Sequence, residues 1–134
     1  MQERYPEQYL QFFKKFNQRE FYDCHDLLED IWMEQKTNKF LQGLLQMAVG
    51  LYHLECGNIK GARWMFTNAH KYLRAYSPQY WDLPVDEVLL YLEKCLQALP
   101  SSEKIPYDEV EKLDFPYQTF QLITEGNKDE GQYK

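Results

Sequence analysis

His25 and Glu29 stand four residues apart in the stretch His25-Asp26-Leu27-Leu28-Glu29-Asp30-Ile31-Trp32. On a helix that spacing makes two side chains neighbours on adjacent turns, about 6 Å apart along the axis. An imidazole and a carboxylate so placed suit three kinds of chemistry. They can give two ligands to a divalent metal ion, at the separation used by HExxH zinc helices, although those carry two histidines. They can form an acid–base dyad, with Glu29 orienting His25 as general base. Or they can be structural, a buried histidine hydrogen-bonded to Glu29 in a satisfied network that fixes which helix faces meet. A metal site needs a third protein ligand, and a fourth or a water. His53 is the first candidate, near the core-facing row of the following helix; His70, Cys24, Asp26 and Glu55 stand behind it. Gln46 is placed to hold a ring nitrogen of a ligating histidine. Trp32 either borders the site or packs on an apolar seam. No GxSxG, Walker A or GxGxxG segment supplies a nucleophile or a cofactor cradle.

The elements that must position these residues are helices. Apolar residues recur at a period near 3.6 from Tyr9 to Leu99, with no convincing two-residue alternation. The first helix is predicted over about 6–16, with Pro6 at its start and Tyr9, Phe12, Phe13 and Phe16 as its stripe. Asn17 and Glu20 then read as a capping box for a second helix over about 18–35. The inner face of that helix is Phe21, Cys24, His25, Leu28, Ile31 and Trp32, with Asp23, Asp26 and Asp30 outward. Thr37 and Asn38 break the chain and cap the next helix. A third helix, about 39–56, is apolar around most of its circumference and is expected at the centre, with Gly43 and Gly50 permitting close approach of a neighbour. Gly57-Asn58 is a C-cap followed by an N-cap. A fourth helix follows over about 59–76, ended by Ser77-Pro78, and a fifth over about 85–99. Its Lys60, Arg63, Lys71 and Arg74 give the fourth helix a basic outer face, most simply a solvated one.

After Pro100 the periodicity weakens. Segments at 105–107 and 113–117 read as an extended strap over the helices, anchored by Phe120, Leu122 and Ile123. Residues 1–124 are expected to form one all-α domain, a bundle of about five helices, and 125–134 a flexible tail. The length of 134 residues suits one domain.

The net charge of -6, from 15 basic and 21 acidic residues, argues against a dedicated nucleic-acid binder. No apolar run approaches the roughly 20 residues of a membrane span. Three cysteines without a CxxC pair read as reduced thiols, and the first residues show no apolar signal segment. A soluble, cytoplasmic protein is therefore expected. Aromatic residues make up 16% of the chain, enough that many must lie at half-buried or interfacial positions. Self-association and a protein partner are both in view.

Three pieces of the chain resemble the all-helical family known as "domain of unknown function 309". Phe21 to Trp32 matches its HxxxExxW element. Phe40-Leu41-Gln42-Gly43-Leu44-Leu45-Gln46-Met47-Ala48, followed by His53, matches its GL(I/L)QxA helix. Asn58 to Leu73 matches its GA-containing helix. The resemblance covers about residues 17–75. It implies an all-α fold of about five helices and a metal held by the His/Glu element, and it brings no established activity. The expected site is therefore His25, Glu29 and His53 as metal ligands, with Trp32 and Gln46 beside them, in a small binding protein or a hydrolase-like enzyme. The rival is a helical interaction module in which His25 and Glu29 form the structural network. The third and fourth helices also look like a single tetratricopeptide-type hairpin.

Overall fold

The computed structural model describes residues 5–34 and 38–123, with the side chains of Trp32 and Glu34 left aside. The expected tail at 125–134 and the break at Thr37 lie outside the described residues. Among those described there are five α-helices: α1 (Glu7–Asn17), α2 (Phe21–Glu34), α3 (Lys39–Glu55), α4 (Ile59–Leu73) and α5 (Val85–Ala98). Two 3-10 helices, Arg74–Tyr76 and Tyr107–Lys112, complete the set. The fold is all-α; the described residues hold one isolated antiparallel bridge, Tyr80 to Leu83, and no strand.

The apolar stripes read from the sequence become one hydrophobic core. Tyr9, Phe12, Phe13 and Phe16 of α1 are buried together with Phe21, Cys24, Leu28 and Ile31 of α2. The central position of α3 follows from its composition, since Leu41, Leu44, Met47, Ala48, Leu51 and Leu54 are all fully buried. Its two glycines are the contact with α4. A methyl group on Gly43 would stand 2.7 Å from Leu73 Cγ, and one on Gly50 would stand 2.7 Å from Phe66 Cε1. Two turns apart on one face, they let the α4 side chains press against the α3 backbone.

The α1–α2 turn departs from the expected capping box. Asn17 ends α1 instead of capping α2. Its amide reaches across the fold, with Nδ2 donating to the Phe120 carbonyl at 2.9 Å and Oδ1 accepting from Phe120 N–H at 2.9 Å. Glu20 is taken by Lys15 Nζ at 2.9 Å. The turn is made by Arg19 at φ 64. A long-range partner thus outcompetes a local cap that is worth only about 1 kcal/mol.

The other caps form as expected. Asn38 Oδ1 accepts from Leu41 N–H at 3.1 Å, and Asn58 Oδ1 from Gly61 N–H at 2.9 Å. Gly57 lies in the left-handed region at φ 82. Its N–H donates to the Leu54 carbonyl, and Asn58 N–H to the His53 carbonyl, both at 2.9 Å. That is the Schellman arrangement, which satisfies the last carbonyls of α3. The following segment then crosses this turn: Ile105 N–H donates to Gly57 O at 2.9 Å and Lys60 N–H to Glu103 O at 2.8 Å.

Residues 107–112, read as lying between extended pieces, instead form a 3-10 helix. Beyond it, residues 114–123 carry no helix and pin three helices with aromatic rings. Tyr117 stacks on Phe21, Phe120 packs on Phe16 and Tyr91, and Tyr91 Oη donates to the Pro116 carbonyl at 2.9 Å. Ile123 N–H donates to the Asp82 carbonyl at 2.7 Å. Asp82 belongs to the tight turn at Tyr80–Leu83, where both Trp81 (φ 49) and Asp82 (φ 62) are left-handed. Such non-glycine conformations cost about 1–3 kcal/mol each. Tyr9 Oη on the Trp81 carbonyl and Tyr5 Oη on the Asp82 carboxylate help hold them in place.

Candidate metal centre on helix α2

Helix α2 buries Phe21, Cys24, Leu28 and Ile31, a 3-4-3 pattern, against α1 and α3. His25 is one residue past Cys24, about 100° further around the helix, so it falls on the flank and not in the seam. Its side chain is 40% exposed and that of Glu29 is 47% exposed. The expected buried network is therefore not what the fold contains, because the inner face closes without the histidine.

On that flank three donors converge. His25 Nδ1 lies 3.7 Å from Glu29 Oε1 and 3.6 Å from Asp26 Oδ1. One ligand atom from each of His25, Asp26 and Glu29 falls within 4.8 Å of the others. Zinc bonded at about 2.1 Å holds its ligand atoms roughly 3–3.5 Å apart, so small side-chain rotations would bring these three around one ion. Both carboxylates and the imidazole are donor types that zinc and manganese accept. Three ligands leave the solvent side open. Asp26 was expected to point outward, and it does, at 72% side-chain exposure. The flank itself is the outward side, which brings Asp26 within reach of the imidazole. The sequence signal was the His-Asp adjacency itself, because a short carboxylate can swing across the angle between consecutive helical residues.

His53 is placed elsewhere. It sits in the last turn of α3, with its ring against the first turn of α4, where a methyl group on Gly61 would stand 3.1 Å from its Cγ. Its Nδ1 faces Asn58 Nδ2 at 3.2 Å. It is not among the three clustered donors. Gln46 Oε1 is buried and, among the described residues, has no hydrogen-bond partner. The side chain of Trp32 lies outside the described residues. Of the weaker candidates, His70 Nε2 pairs with Glu93 Oε2 at 2.9 Å. Cys24 is buried with Sγ toward the Phe12 carbonyl, and burial pushes its thiol up to about 12, which keeps it protonated and a poor ligand.

His53 has a role in stability. Burial holds its pKa below the ordinary 6.5. Neutral Nδ1 accepts from Asn58 Nδ2–H, and protonation would replace that acceptor with a second donor. The unfolded chain takes up this proton more readily, so the contribution is full above about pH 6.5 and declines as pH falls below it. Thermal melts between pH 8 and pH 5.5 are expected to show a downward drift in wild type. His53→Gln should flatten it, and equal drifts in both proteins would assign it to other groups.

Fold and cluster together define a small all-helical domain with a histidine and two carboxylates on the outer flank of its second helix. The model of the family described as "Domain of unknown function (DUF309)" matches residues 9–65, and that stretch is assigned to this family. The resemblance read from the HxxxExxW and Gln-Gly-Leu-Leu-Gln elements holds there. The chain is also 33% identical over 86 residues to "Uncharacterized protein YpuF" of Bacillus subtilis (strain 168). That match takes in 61% of this chain and 49% of the relative, so the chain spans about half the length of the curated relative it matches. Among the described residues, no helix is long and apolar enough to cross a membrane.

Proposed function

We propose that this chain is a small metal-binding protein whose site is His25, Asp26 and Glu29 on α2. The observation that supports it is the approach of both carboxylates to one imidazole nitrogen, at 3.6 and 3.7 Å. A divalent ion held there with open positions would supply Lewis-acid chemistry to a bound water or phosphate, which is the basis for a hydrolase-like reading. In this proposal Asp26, and not His53, completes the protein ligands. Titration of metal-free protein with zinc and with manganese tests it, using calorimetry. One ion is expected per chain. His25→Ala and Glu29→Gln should each weaken binding by at least about tenfold, the scale seen even for groups that only support a ligand. His53→Ala should leave binding unchanged. A loss of binding in His53→Ala, or no saturable binding in wild type, would remove the site as proposed. The melting temperature should barely move in His25→Ala, because this residue is on the surface.

A second reading, a helical interaction module, is favoured by one observation. Tyr22 of α2 and Tyr52 of α3 are exposed by 61% and 37%, with ring centroids 5.4 Å apart. An exposed aromatic pair is the type of surface that protein interfaces use. Protein that takes up no metal would shift weight to this reading.

A further inference from the structure

Helix α4 buries Ile59, Ala62, Phe66, Ala69 and Leu73. Its opposite side, continued by Arg74 of the following 3-10 turn, is one row: Lys60, Trp64, Thr67, Lys71 and Arg74, at intervals of four, three, four and three, every one of them exposed. The row is roughly 20 Å long. We propose that it is a docking surface for a short acidic segment of another protein.

The one aromatic residue of the row is Trp64, 66% exposed. Indoles are usually well buried, and among the described residues Trp64 stacks on no other ring. The cations at either end are also uncommitted. Among the described residues, no carboxylate lies within ion-pair distance of Lys60, Lys71 or Arg74. The flanks of the row are tied down. Arg63 donates to the Pro100 carbonyl at 2.7 Å and His70 is held by Glu93, while within the row the Thr67 hydroxyl donates back to the Arg63 carbonyl at 2.8 Å. What remains outward is an aromatic anchor between positive ends, the anatomy of an interface hot spot with a charged rim.

Charge selects the occupant. The chain as a whole carries -6, so this basic row is a local exception on an acidic molecule. A nucleic acid or an anionic bilayer would extend past the row over a molecule whose net charge is -6, which disfavours it. A segment no longer than the row meets only the cations. Its best fit has an apolar residue on the indole, with carboxylates about 6 Å to one side and about 10 Å to the other, matching Lys60 and Lys71.

The test pans a random twelve-residue peptide display library against the full chain and against Trp64→Ala and Lys60→Glu/Lys71→Glu variants. Wild type is expected to enrich peptides rich in Asp and Glu around a Leu, Phe or Trp. Synthetic copies should bind, by fluorescence polarisation, about tenfold or more weakly to either variant, and more weakly as salt rises. Both variants are surface changes, so their melting curves should match wild type. Three results would overturn the proposal. They are no enrichment, enrichment that is neutral or basic, and acidic peptides whose binding both variants leave intact. A labelled dT20 oligonucleotide or phosphatidylserine vesicles binding through the same residues, in preference to the selected peptides, would overturn it as well.

Discussion

Phe40→Ala is expected to lower the unfolding free energy by about 3–5 kcal/mol, the usual cost of removing a fully buried phenylalanine. Phe40 is the second residue of α3 and is 0% exposed. Four rings meet it: Tyr80 at 4.7 Å, Tyr76 at 5.3 Å, Trp81 at 5.8 Å and Tyr9 at 6.0 Å between centroids. These come from α1, from the 3-10 turn after α4, and from the tight turn at 80–83. No single shift can close the cavity, because the four rings are anchored in three different elements. The two left-handed residues, Trp81 and Asp82, depend on the same cluster, since Tyr9 both packs on the Trp81 ring and binds its carbonyl. A domain of this size has about 5–15 kcal/mol in total, so the variant should be marginal. Urea unfolding followed by circular dichroism measures this directly, and near-ultraviolet circular dichroism should report the loosened rings. A midpoint within experimental error of wild type would mean that the cluster is not packed as described.

The second large effect is expected at Gly57→Ala, a loss of about 2–5 kcal/mol. Two costs add. An L-residue at φ 82 costs about 1–2 kcal/mol. The new methyl group would also run into the Ile105 carbonyl oxygen, and crowding of that kind costs about 1–3 kcal/mol. The neighbouring backbone cannot simply retreat, because Ile105 N–H is bonded to Gly57 O and Glu103 O to Lys60 N–H. Gly57→Asn separates the two costs. Asparagine tolerates the left-handed region but keeps the clash, so it should recover only about 1 kcal/mol. Full recovery in the asparagine variant would show that the 103–105 crossing is loose in solution.

Much of this architecture was legible in the residues. The Gly57-Asn58 pair marks a C-cap and an N-cap because glycine alone enters the left-handed region without strain and asparagine alone here offers a side-chain acceptor to the next helix. Gly43 and Gly50 signal close approach, and Leu73 and Phe66 fill it. Asn17 was misread for an instructive reason. An asparagine followed three residues later by a glutamate is a strong local signature, but the same amide can satisfy two backbone groups of a segment more than a hundred residues away, which no local spacing reveals. The 3-10 turn at 107–112 escaped in the same way, since its residues carry no apolar period.

The site divides along the same line. That His25 and Glu29 share a helix face follows from the four-residue interval, a property of the helix repeat and independent of what surrounds it. Whether that face is inside or outside depends on which stripe the neighbouring helices cover. Phe21, Cys24, Leu28 and Ile31 closed the seam, and His25 was left on the flank beside Asp26. The partner of His53 was likewise decided by the α3–α4 turn, which turns its ring toward Asn58. The helix repeat and the caps act over three or four residues, so the sequence determined the elements and their faces. Burial and long-range hydrogen bonds act between residues distant in the chain, so only the tertiary packing decided which donors meet.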